Sequence, residues 1–529
     1  MNVIQKLEFA SFFTALLALH CANETITGDG PGNLGPGTAG GFSFGGNGAG
    51  GGSGNAPGGG GYTPGGGGSN PGAGGGSGNA PGGGGYTPGG GGYSPGGGGS
   101  NPGSGGGGVA GGSVGGNTNY VVDPVGNANR APGYVDLSPP MGAPLDGVGM
   151  TLNPPAPTGW VYYQIDGSKC RDGSPAGFFV HTGTVNNLMI YLEGGGACSN
   201  NGFCNFNPAS VTSVLAGDGS SVLGSAAGTG VGARPAPQPN QQPGVYTDLS
   251  HTAAPAGVLD ISNAQNPVKD WSAVYVPYCT GDVHYGKKPN GTVPGLATPQ
   301  QFVGGTNMEL FIGRIVPTFK DKVQKVVLTG SSAGGFGTAL NFSMVQDAFG
   351  DIPVIAVDDS GPPFDDQYMP VCMQKKWREA WGFQLPPDCA ECFQTNGGGM
   401  LHLADFLMKK HPKANIAIIS TLQDEVIRLF YSVGVKNCTS YDTADPVGLT
   451  IGQVADPTVM FAAQTYQDGL MDLRTKYQAT GRFATYYIPG PTPHQHVFRP
   501  EFYTATAGGE TEAAWFGKFI NGTVETVGN

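Results

Sequence analysis

The chain has 529 residues and a formal net charge of −12, from 25 basic and 37 acidic residues. Of these, 24 basic and 34 acidic residues follow residue 117. The basic residues form no run, which argues against a nucleic-acid partner. Glycine occupies 98 positions, far more than one folded domain uses. We therefore expect only part of the chain to fold.

Residues 1–21 have the features of an export signal. Lys6 provides a basic start, and residues 9–19 form an apolar core that is too short to span a bilayer. The segment ends at Cys21 in a sequence that resembles a bacterial lipobox, whose cysteine is lipidated. His20 stands where a small residue is expected, so an ordinary cleaved signal is the alternative. Both interpretations predict a protein that is secreted or anchored outside the cell membrane.

Residues 22–117 are predicted to be a disordered tether rich in glycine and proline. Gly54-Asn55-Ala56-Pro57 recurs at residues 78–81, and Tyr62-Thr63-Pro64 recurs at residues 86–88, which gives a 24-residue repeat. Such a segment buries too little apolar surface to offset the entropy of ordering. A cell-wall-binding or adhesive module is the alternative. Residues 118–529 are long enough for one large domain, which we expect to be monomeric.

Short apolar runs alternate with longer segments through this domain. Continuous runs of valine, isoleucine and leucine are typical of strands covered on both faces. The alternation predicts an α/β fold of the α/β-hydrolase type, with a mostly parallel sheet, helices on both faces and long loop insertions that carry disulfides. The predicted strands are Leu188–Leu192, Ala273–Pro277, Val326–Leu328, Val354–Val357, Ile416–Ile419 and Tyr486–Ile488. The predicted helices are Met308–Val316, Phe336–Phe349, Leu401–Lys410, Glu425–Tyr431 and Val459–Tyr477.

Cysteine counting predicts four disulfides. Eight cysteines follow Cys21, and an even number in an exported chain fits complete pairing. Cys389 and Cys392 form a Cys-x-x-Cys pair that suggests a redox or zinc site. No second cysteine or histidine pair has metal-ligand spacing, so we expect no metal. The eight are Cys170, Cys198, Cys204, Cys279, Cys372, Cys389, Cys392 and Cys438.

The sequence Gly330-Ser331-Ser332-Ala333-Gly334-Gly335 lies between a predicted strand and a predicted helix. Gly-x-Ser-x-Gly in this context indicates a nucleophile elbow, which raises a serine hydroxyl clear of the backbone. Residues 111–115 match the same pattern but have no strand before them and no helix after them. We therefore assign the nucleophile to Ser332 and reject Ser113.

A serine nucleophile needs a histidine base and an acid, and both are expected after later strands. Asp424 follows the Ile416 strand and is the predicted acid. Glu425 is the alternative acid, and a purely structural cap for the next helix is the alternative role of Asp424. His494 and His496 both follow the Tyr486 strand, and spacing alone does not separate them.

The glycine run after the first predicted strand suggests an oxyanion hole. Gly194, Gly195 and Gly196 expose backbone N–H groups that can hold a negative oxygen, with the N–H of Ala333 as a further donor. A plain glycine turn or a phosphate-binding loop is the alternative. No Gly-Lys-Ser/Thr follows, which disfavours phosphate.

Four motifs together resemble the pectin acetylesterase family, which includes the animal carboxylesterase Notum. The resemblance runs from about Gly159 to the C-terminus. Its motifs, in chain order, are Leu192-Glu193-Gly194-Gly195-Gly196-Ala197-Cys198, Pro277-Tyr278-Cys279-Thr280-Gly281-Asp282-Val283, Gly330-Ser331-Ser332-Ala333-Gly334-Gly335 and Asp359-Ser360-Gly361.

The resemblance assigns Ser332 as nucleophile, Asp424 as acid and His494 as base, with His496 still open. It implies oxyanion donors at Gly195, Gly196 and Ala333, and a Cys198–Cys204 disulfide. Asp282, His284 and Asp359 are candidates for shaping the substrate pocket, although the turn around Asp359 is equally well explained as structural. Gly196 stands where Notum has a bulky aromatic residue, which puts a Notum-like fatty-acyl pocket in doubt.

The resemblance implies an extracytoplasmic serine esterase that needs no cofactor and removes acetyl groups from a polysaccharide such as pectin. Two other hypotheses remain: a lipase or protein-delipidating carboxylesterase of the Notum type, and a non-catalytic binding module on a flexible stalk.

Overall fold

The computed structural model describes much of the domain after the predicted tether. The described residues are 122–146, 160–205, 207–211, 213, 245–246, 257–382, 386–392, 394, 396–400, 402–435, 437–439, 461–491 and 493–528. The predicted signal with Cys21 and the predicted tether lie outside these ranges. Among the described residues, no helix is long and apolar enough to cross a membrane.

Strands and helices alternate along most of the described chain. The strands are β1 Val122–Asp123, β2 Tyr134–Val135, β3 Trp160–Lys169, β4 Pro175–His181, β5 Val185–Leu192, β6 Val245–Tyr246, β7 Trp271–Val276, β8 Lys288–Gly291, β9 Gln300–Phe302, β10 Lys325–Ser331, β11 Val354–Asp359, β12 Ile416–Thr421, β13 Phe483–Ile488, β14 Thr506–Ala507 and β15 Glu510–Thr511. The α-helices are α1 Asn201–Asn205, α2 Gly304–Phe319, α3 Ala333–Phe349, α4 Val371–Trp381, α5 His402–Lys410, α6 Glu425–Ser432, α7 Ala463–Tyr477 and α8 Glu512–Ile520. Short 3-10 helices span Gly257–Leu259, Lys320–Lys322, Ala390–Cys392, Gln478–Thr480 and Pro500–Tyr503.

A nine-stranded sheet organises the domain, in the order β13-β12-β11-β10-β5-β7-β4-β3-β6. The six strands from β13 to β7 are mutually parallel. Each of the six predicted strands overlaps one of them, so the prediction of a mostly parallel sheet is confirmed. The antiparallel pairings of β4 with β7, and of β3 with β4 and β6, extend one edge and were not predicted.

The unpredicted strand β3 differs physically from the predicted strands. β3 alternates between buried and solvent-facing positions, whereas β7, β11 and β13 are buried along their whole length. A strand covered on both faces needs a continuous apolar run, and a half-exposed strand does not. Continuous apolar runs therefore mark the parallel centre of the sheet and not β3. The unpredicted strand β4 is buried at six of its seven residues, so exposure does not explain why it was missed.

Helices cover both faces of the sheet, as expected. Tyr486 and Tyr487 are successive residues of β13, so their side chains point to opposite faces. The Tyr486 ring packs 5.2 Å from that of Trp515 on α8. The Tyr487 hydroxyl donates to Leu470 O on α7 over 2.9 Å.

All eight cysteines after Cys21 form disulfides, which confirms the predicted four bridges. Cys198–Cys204 closes a short loop after the glycine run, as the family resemblance implies. The other pairs are Cys170–Cys279, Cys372–Cys438 and Cys389–Cys392. The Cys-x-x-Cys pair is thus a disulfide, and no group of described histidine, cysteine, aspartate and glutamate residues has an arrangement suited to a metal.

A buried charge network ties the first described segment to the helices. The Arg130 guanidinium donates to Asp347 on α3 over 2.8 Å and to Asp123 over 2.6 Å. Lys410 at the end of α5 lies 3.0 Å from the other oxygen of Asp347, and both side chains are fully buried. Neighbouring His411 is also buried, with Nδ1 donating to Asn129 O over 3.0 Å.

His411 predicts an acid-sensitive contribution to stability. Burial lowers the pKa of His411 from 6.5 to about 4, so between these pH values the unfolded chain binds more protons than the folded one. Stability should therefore fall as the pH drops through this window, by on the order of 3 kcal/mol from this residue. His411→Gln should flatten that slope in urea unfolding measured from pH 7 to 4. An unchanged slope would contradict the assignment, and His402→Gln on α5 is a control because the His402 ring borders solvent.

Candidate active site

The candidate residues follow the carboxyl ends of neighbouring parallel strands. Glu193 follows β5, Ser332 follows β10, Asp424 follows β12 and His494 lies on the loop after β13. Parallel strands end at a common sheet edge, where ligand sites of open α/β sheets are found. Residues separated by up to 301 positions in the chain are thereby brought to one edge.

Ser332 occupies a strained turn between β10 and α3. Its φ of 59° and ψ of −118° are unusual for a residue with a side chain, and the serine is 4% exposed. Its backbone N–H donates to Asp359 O over 2.7 Å. A Cβ at Gly330 or Gly334 would overlap with Leu192 O on β5, so both motif glycines are required sterically. These are the features that a nucleophile elbow needs.

The two oxygens of the Asp424 carboxylate have different partners. Oδ1 accepts from the N–H groups of Val426 and Ile427 at the start of α6, each over 3.0 Å. Oδ2 lies 2.7 Å from His494 Nδ1. The helix-cap interpretation and the interpretation as the acid partner of a histidine are therefore compatible, because each uses a different oxygen.

His494 combines a buried partner with limited access to solvent. Its side chain is 11% exposed, whereas the Asp424 side chain is fully buried. The contact to Asp424 uses Nδ1, so a neutral ring in this tautomer donates from Nδ1 and leaves Nε2 as an acceptor. An imidazole in this state can take a proton at Nε2.

Glu425 and Asp424 differ in their surroundings. Glu425 is half-buried. Its pKa is raised mainly by this burial and further by repulsion from Asp424. Its backbone N–H donates to Pro491 O over 3.3 Å, which ties the start of α6 to the histidine loop. Only Asp424 of these two has a hydrogen bond to His494 among the described contacts.

His496 is enclosed by protein. The residue is 1% exposed, its Nδ1 lies 3.4 Å from Glu512 and its Nε2 lies 3.1 Å from Thr421 Oγ1. Burial opposes its charge, but the nearby carboxylates, Glu512 first among them, outweigh burial and raise the pKa of His496. Burial raises the pKa of Glu512 to about 7. Both ring nitrogens of His496 thus face protein groups.

The glycine run is half-buried and adopts backbone conformations that favour glycine. Gly195 and Gly196 have φ values of 153° and 83°, and the Gly195 carbonyl accepts from Asn207 Nδ2 over 2.9 Å. Among the described contacts, neither glycine N–H donates to a backbone acceptor. Ala333 begins α3, where first-turn N–H groups lack helical partners.

Gly194 shows how closely the loops approach one another. A Cβ at Gly194 would lie 3.0 Å from Ser332 Cβ and 2.6 Å from Gln495 Nε2. Gln495 is the neighbour of His494 and has a φ of 67°. The histidine loop and the serine elbow therefore meet at the same glycine.

The three pocket candidates lie behind the loops and are enclosed by protein. Asp282 accepts from Thr280 Oγ1 over 2.6 Å and from Gly304 N over 2.7 Å, and burial raises its pKa to about 6. His284 Nε2 donates to Glu193 O over 2.8 Å, and burial lowers its pKa to about 4. Asp359 is fully buried as well.

Sequence reasoning did not assign three residues that shape this region. Glu193 accepts from Tyr278 N over 2.8 Å, and its charge directly before a glycine run was an available signal. Asn207 holds the Gly195 carbonyl, and Phe430 on α6 approaches Gly196, since a Cβ there would lie 3.3 Å from Phe430 Cζ. No local pattern marks these last two, because their partners are distant in sequence.

Comparisons with known proteins agree with the motifs. The pectinacetylesterase family model matches residues 239–384, a range that includes Ser332 but ends before Asp424 and His494. Palmitoleoyl-protein carboxylesterase notum1' of Xenopus laevis is 28% identical over 200 residues, which are 36% of this chain and 34% of that protein. Palmitoleoyl-protein carboxylesterase notum2 of the same species is 25% identical over 246 residues, which are 42% and 43% of the two chains. The chain thus spans between a third and a half of these curated relatives.

Two crystal forms of the Wnt deacylase Notum from Drosophila are also similar to this chain. They match with TM-scores of 0.45 and 0.46 at 18% identity, and the matches cover 69% and 70% of this chain and 94% and 95% of those chains. The family model and the curated relatives confirm what the four motifs predict: this chain is related to the pectin acetylesterases and to Notum.

Proposed function

We propose that this protein is an extracytoplasmic serine esterase that hydrolyses short-chain esters, principally acetyl esters on a polysaccharide such as pectin. The observation that carries the proposal is the 2.7 Å contact between His494 Nδ1 and buried Asp424, on a loop that meets the Ser332 elbow at Gly194. Relationship to two groups of esterases gives independent support.

Ser332 Oγ attacks the ester carbonyl while His494 Nε2 removes its proton. Asp424 keeps the Nδ1–H tautomer and stabilises the charged imidazole. The oxyanion receives hydrogen bonds from the N–H groups of Gly195, Gly196 and Ala333. His494 then protonates the departing alcohol, and a water activated by the same histidine hydrolyses the acyl-enzyme.

His494 is a better candidate for the base than His496. The His496 ring is enclosed between Glu512 and Thr421, and a general base needs one nitrogen free to reach the nucleophile. His494 keeps such a nitrogen and borders solvent.

The surroundings of Gly196 favour a short acyl group. The Phe430 ring reaches Gly196 from α6, and it packs against Phe203 of the Cys198–Cys204 loop with centroids 4.6 Å apart. This aromatic pair occupies space beside one oxyanion donor. A long acyl chain passing this donor would have to displace it.

The second candidate function is cleavage of a fatty-acyl ester. The curated relatives are palmitoleoyl-protein carboxylesterases by name, and this favours a lipid-modified substrate. The position of Phe430 favours the acetyl ester instead. For both candidates, the disulfides support function outside the cytoplasm, either secreted or anchored through Cys21.

A fluorophosphonate probe tests whether the protein is a serine hydrolase. The intact chain should be labelled and Ser332→Ala should not, because only an activated serine reacts. Ser113→Ala is a matched control, since Ser113 stands in the other Gly-x-Ser-x-Gly sequence. Failure of the intact protein to react, or unchanged labelling of Ser332→Ala, would favour the non-catalytic binding module.

The acid is tested by Asp424→Asn, with Glu425→Gln as the matched neighbour. Asp424→Asn should lower kcat for 4-nitrophenyl acetate by about 1,000-fold or more, because an amide can hold the wrong histidine tautomer. Glu425→Gln should stay within a few-fold of the intact protein. The reverse result would make Glu425 the acid.

Acyl specificity is tested with nitrophenyl esters from acetate to palmitate and with acetylated glycans. The intact protein should prefer acetate and release acetate from at least one glycan. Phe430→Ala should move the ratio of kcat/KM for octanoate over acetate upward by about 10-fold or more, since the space at Gly196 opens. Preference of the intact protein for palmitate would favour the fatty-acyl alternative.

A further inference from the structure

Asp359 joins parts of the site that come from different strands. It ends β11, where it pairs in register with Ser331 of β10, and it is fully buried. Its Oδ2 accepts from Ser331 Oγ over 2.6 Å, from His496 N over 2.7 Å and from Val497 N over 2.9 Å. Three donors from two distant segments thus converge on one carboxylate oxygen.

The other two oxygens of Asp359, Oδ1 and the backbone carbonyl oxygen, also accept hydrogen bonds from this region. Oδ1 accepts from Ser360 Oγ over 2.8 Å, and the backbone carbonyl accepts from Ser332 N over 2.7 Å. Ser331 Oγ in turn accepts from the Tyr191 hydroxyl on β5 over 3.1 Å. The elbow and the loop after β13 are therefore both held by one residue of β11.

The length of the loop makes this anchoring important. His494 lies six residues beyond the end of β13, so the strand alone does not determine its position. The two N–H groups that Asp359 binds belong to the second and third residues after His494. On the other side, the Asp424 contact orients the ring.

A carboxylate suits this position better than an amide. An ionised carboxylate only accepts hydrogen bonds. The Asp359 carboxylate has four partners, two hydroxyl groups and two backbone N–H groups, and all four donate to it. An asparagine would direct its NH₂ toward one of these donors. Hydrogen bonds to a buried carboxylate are also stronger than those to a neutral acceptor.

We propose that Asp359 is a positioning residue that fixes the His494 loop against the Ser332 elbow. The proposal rests on the proposed function, because it concerns the rate at which His494 serves Ser332. It assigns Asp359 no contact with substrate. Its carboxylate sets the distance between two loops that no strand pairing connects directly.

Asp359→Asn tests the proposal through kcat for 4-nitrophenyl acetate. We expect kcat to fall by about 100-fold, as for a small misplacement of a catalytic group, while KM stays within a few-fold. Asp358→Asn is the matched control on the same strand. Burial raises the pKa of Asp358 well above its ordinary value, and its Oδ1 accepts only from Gly361 N among the described contacts. Its amide variant should therefore stay near the intact rate.

A double-mutant cycle separates positioning from general damage. If Asp359 acts through His494, Asp359→Asn combined with His494→Gln should be no slower than His494→Gln alone. Full kcat in Asp359→Asn, or the same 100-fold loss in the His494→Gln background, would overturn the proposal. The Ser332→Ala labelling result is independent of this cycle, so failure of the esterase proposal would be seen separately.

Ser331→Ala provides a second route if Asp359→Asn does not fold. It removes one of the three donors to Oδ2 and retains the carboxylate. We expect about a 10-fold fall in kcat that disappears in the His494→Gln background. Unchanged kcat in a folded Ser331→Ala protein, judged by its thermal midpoint, would then count against the proposal.

Discussion

The parallel pairing of β10 with β5 and β11 is the constraint on which the site depends. Gly330 pairs with Leu192, and Ser331 pairs with Asp359, so the three loops that follow begin at one level. The close approach is possible because a side chain at Gly330 or Gly334 would overlap with Leu192 O. The strained conformation of Ser332 is therefore maintained by the packing around it.

Buried polar groups stabilise the loops at this edge. Glu193 binds Tyr278 N, and its carbonyl accepts from His284, so the start of the glycine run is held at two points. Asn207 binds the Gly195 carbonyl, and Arg171 binds Asn207 in turn over 3.1 Å. Satisfied buried networks of this kind impose one arrangement, because any alternative leaves a polar group unpaired.

Buried polar contacts also make the two histidines of one loop different from each other. His494 and His496 are two residues apart, yet one borders solvent beside Asp424 and the other is enclosed with Glu512. Glu512 begins α8, whereas Asp424 lies at the start of α6, so the two rings contact different helices. The difference between the two rings depends on long-range packing, which spacing in the sequence does not encode.

The predictions succeeded where the signal was local. Continuous apolar runs identified the six parallel strands, and the motif with its flanking elements identified the Ser332 turn. The alternating strand β3 was missed because a half-exposed strand has no such run. Asp282, His284 and Asp359 stay predictions as substrate-pocket residues, and the structure shows their side chains buried among protein hydrogen-bond partners.

The sequence by itself determined the fold class, the number of disulfides and the position of the elbow, because continuous apolar runs, cysteine parity and glycine placement can be read without knowing which distant residues meet. Only the tertiary structure decided the partner of each charged group. One oxygen of Asp424 binds the start of α6 and the other binds His494. Asp359 accepts hydrogen bonds from β10 and from the loop after β13. These contacts join residues that meet only after the sheet has formed, and their geometry follows from strand register and not from local sequence.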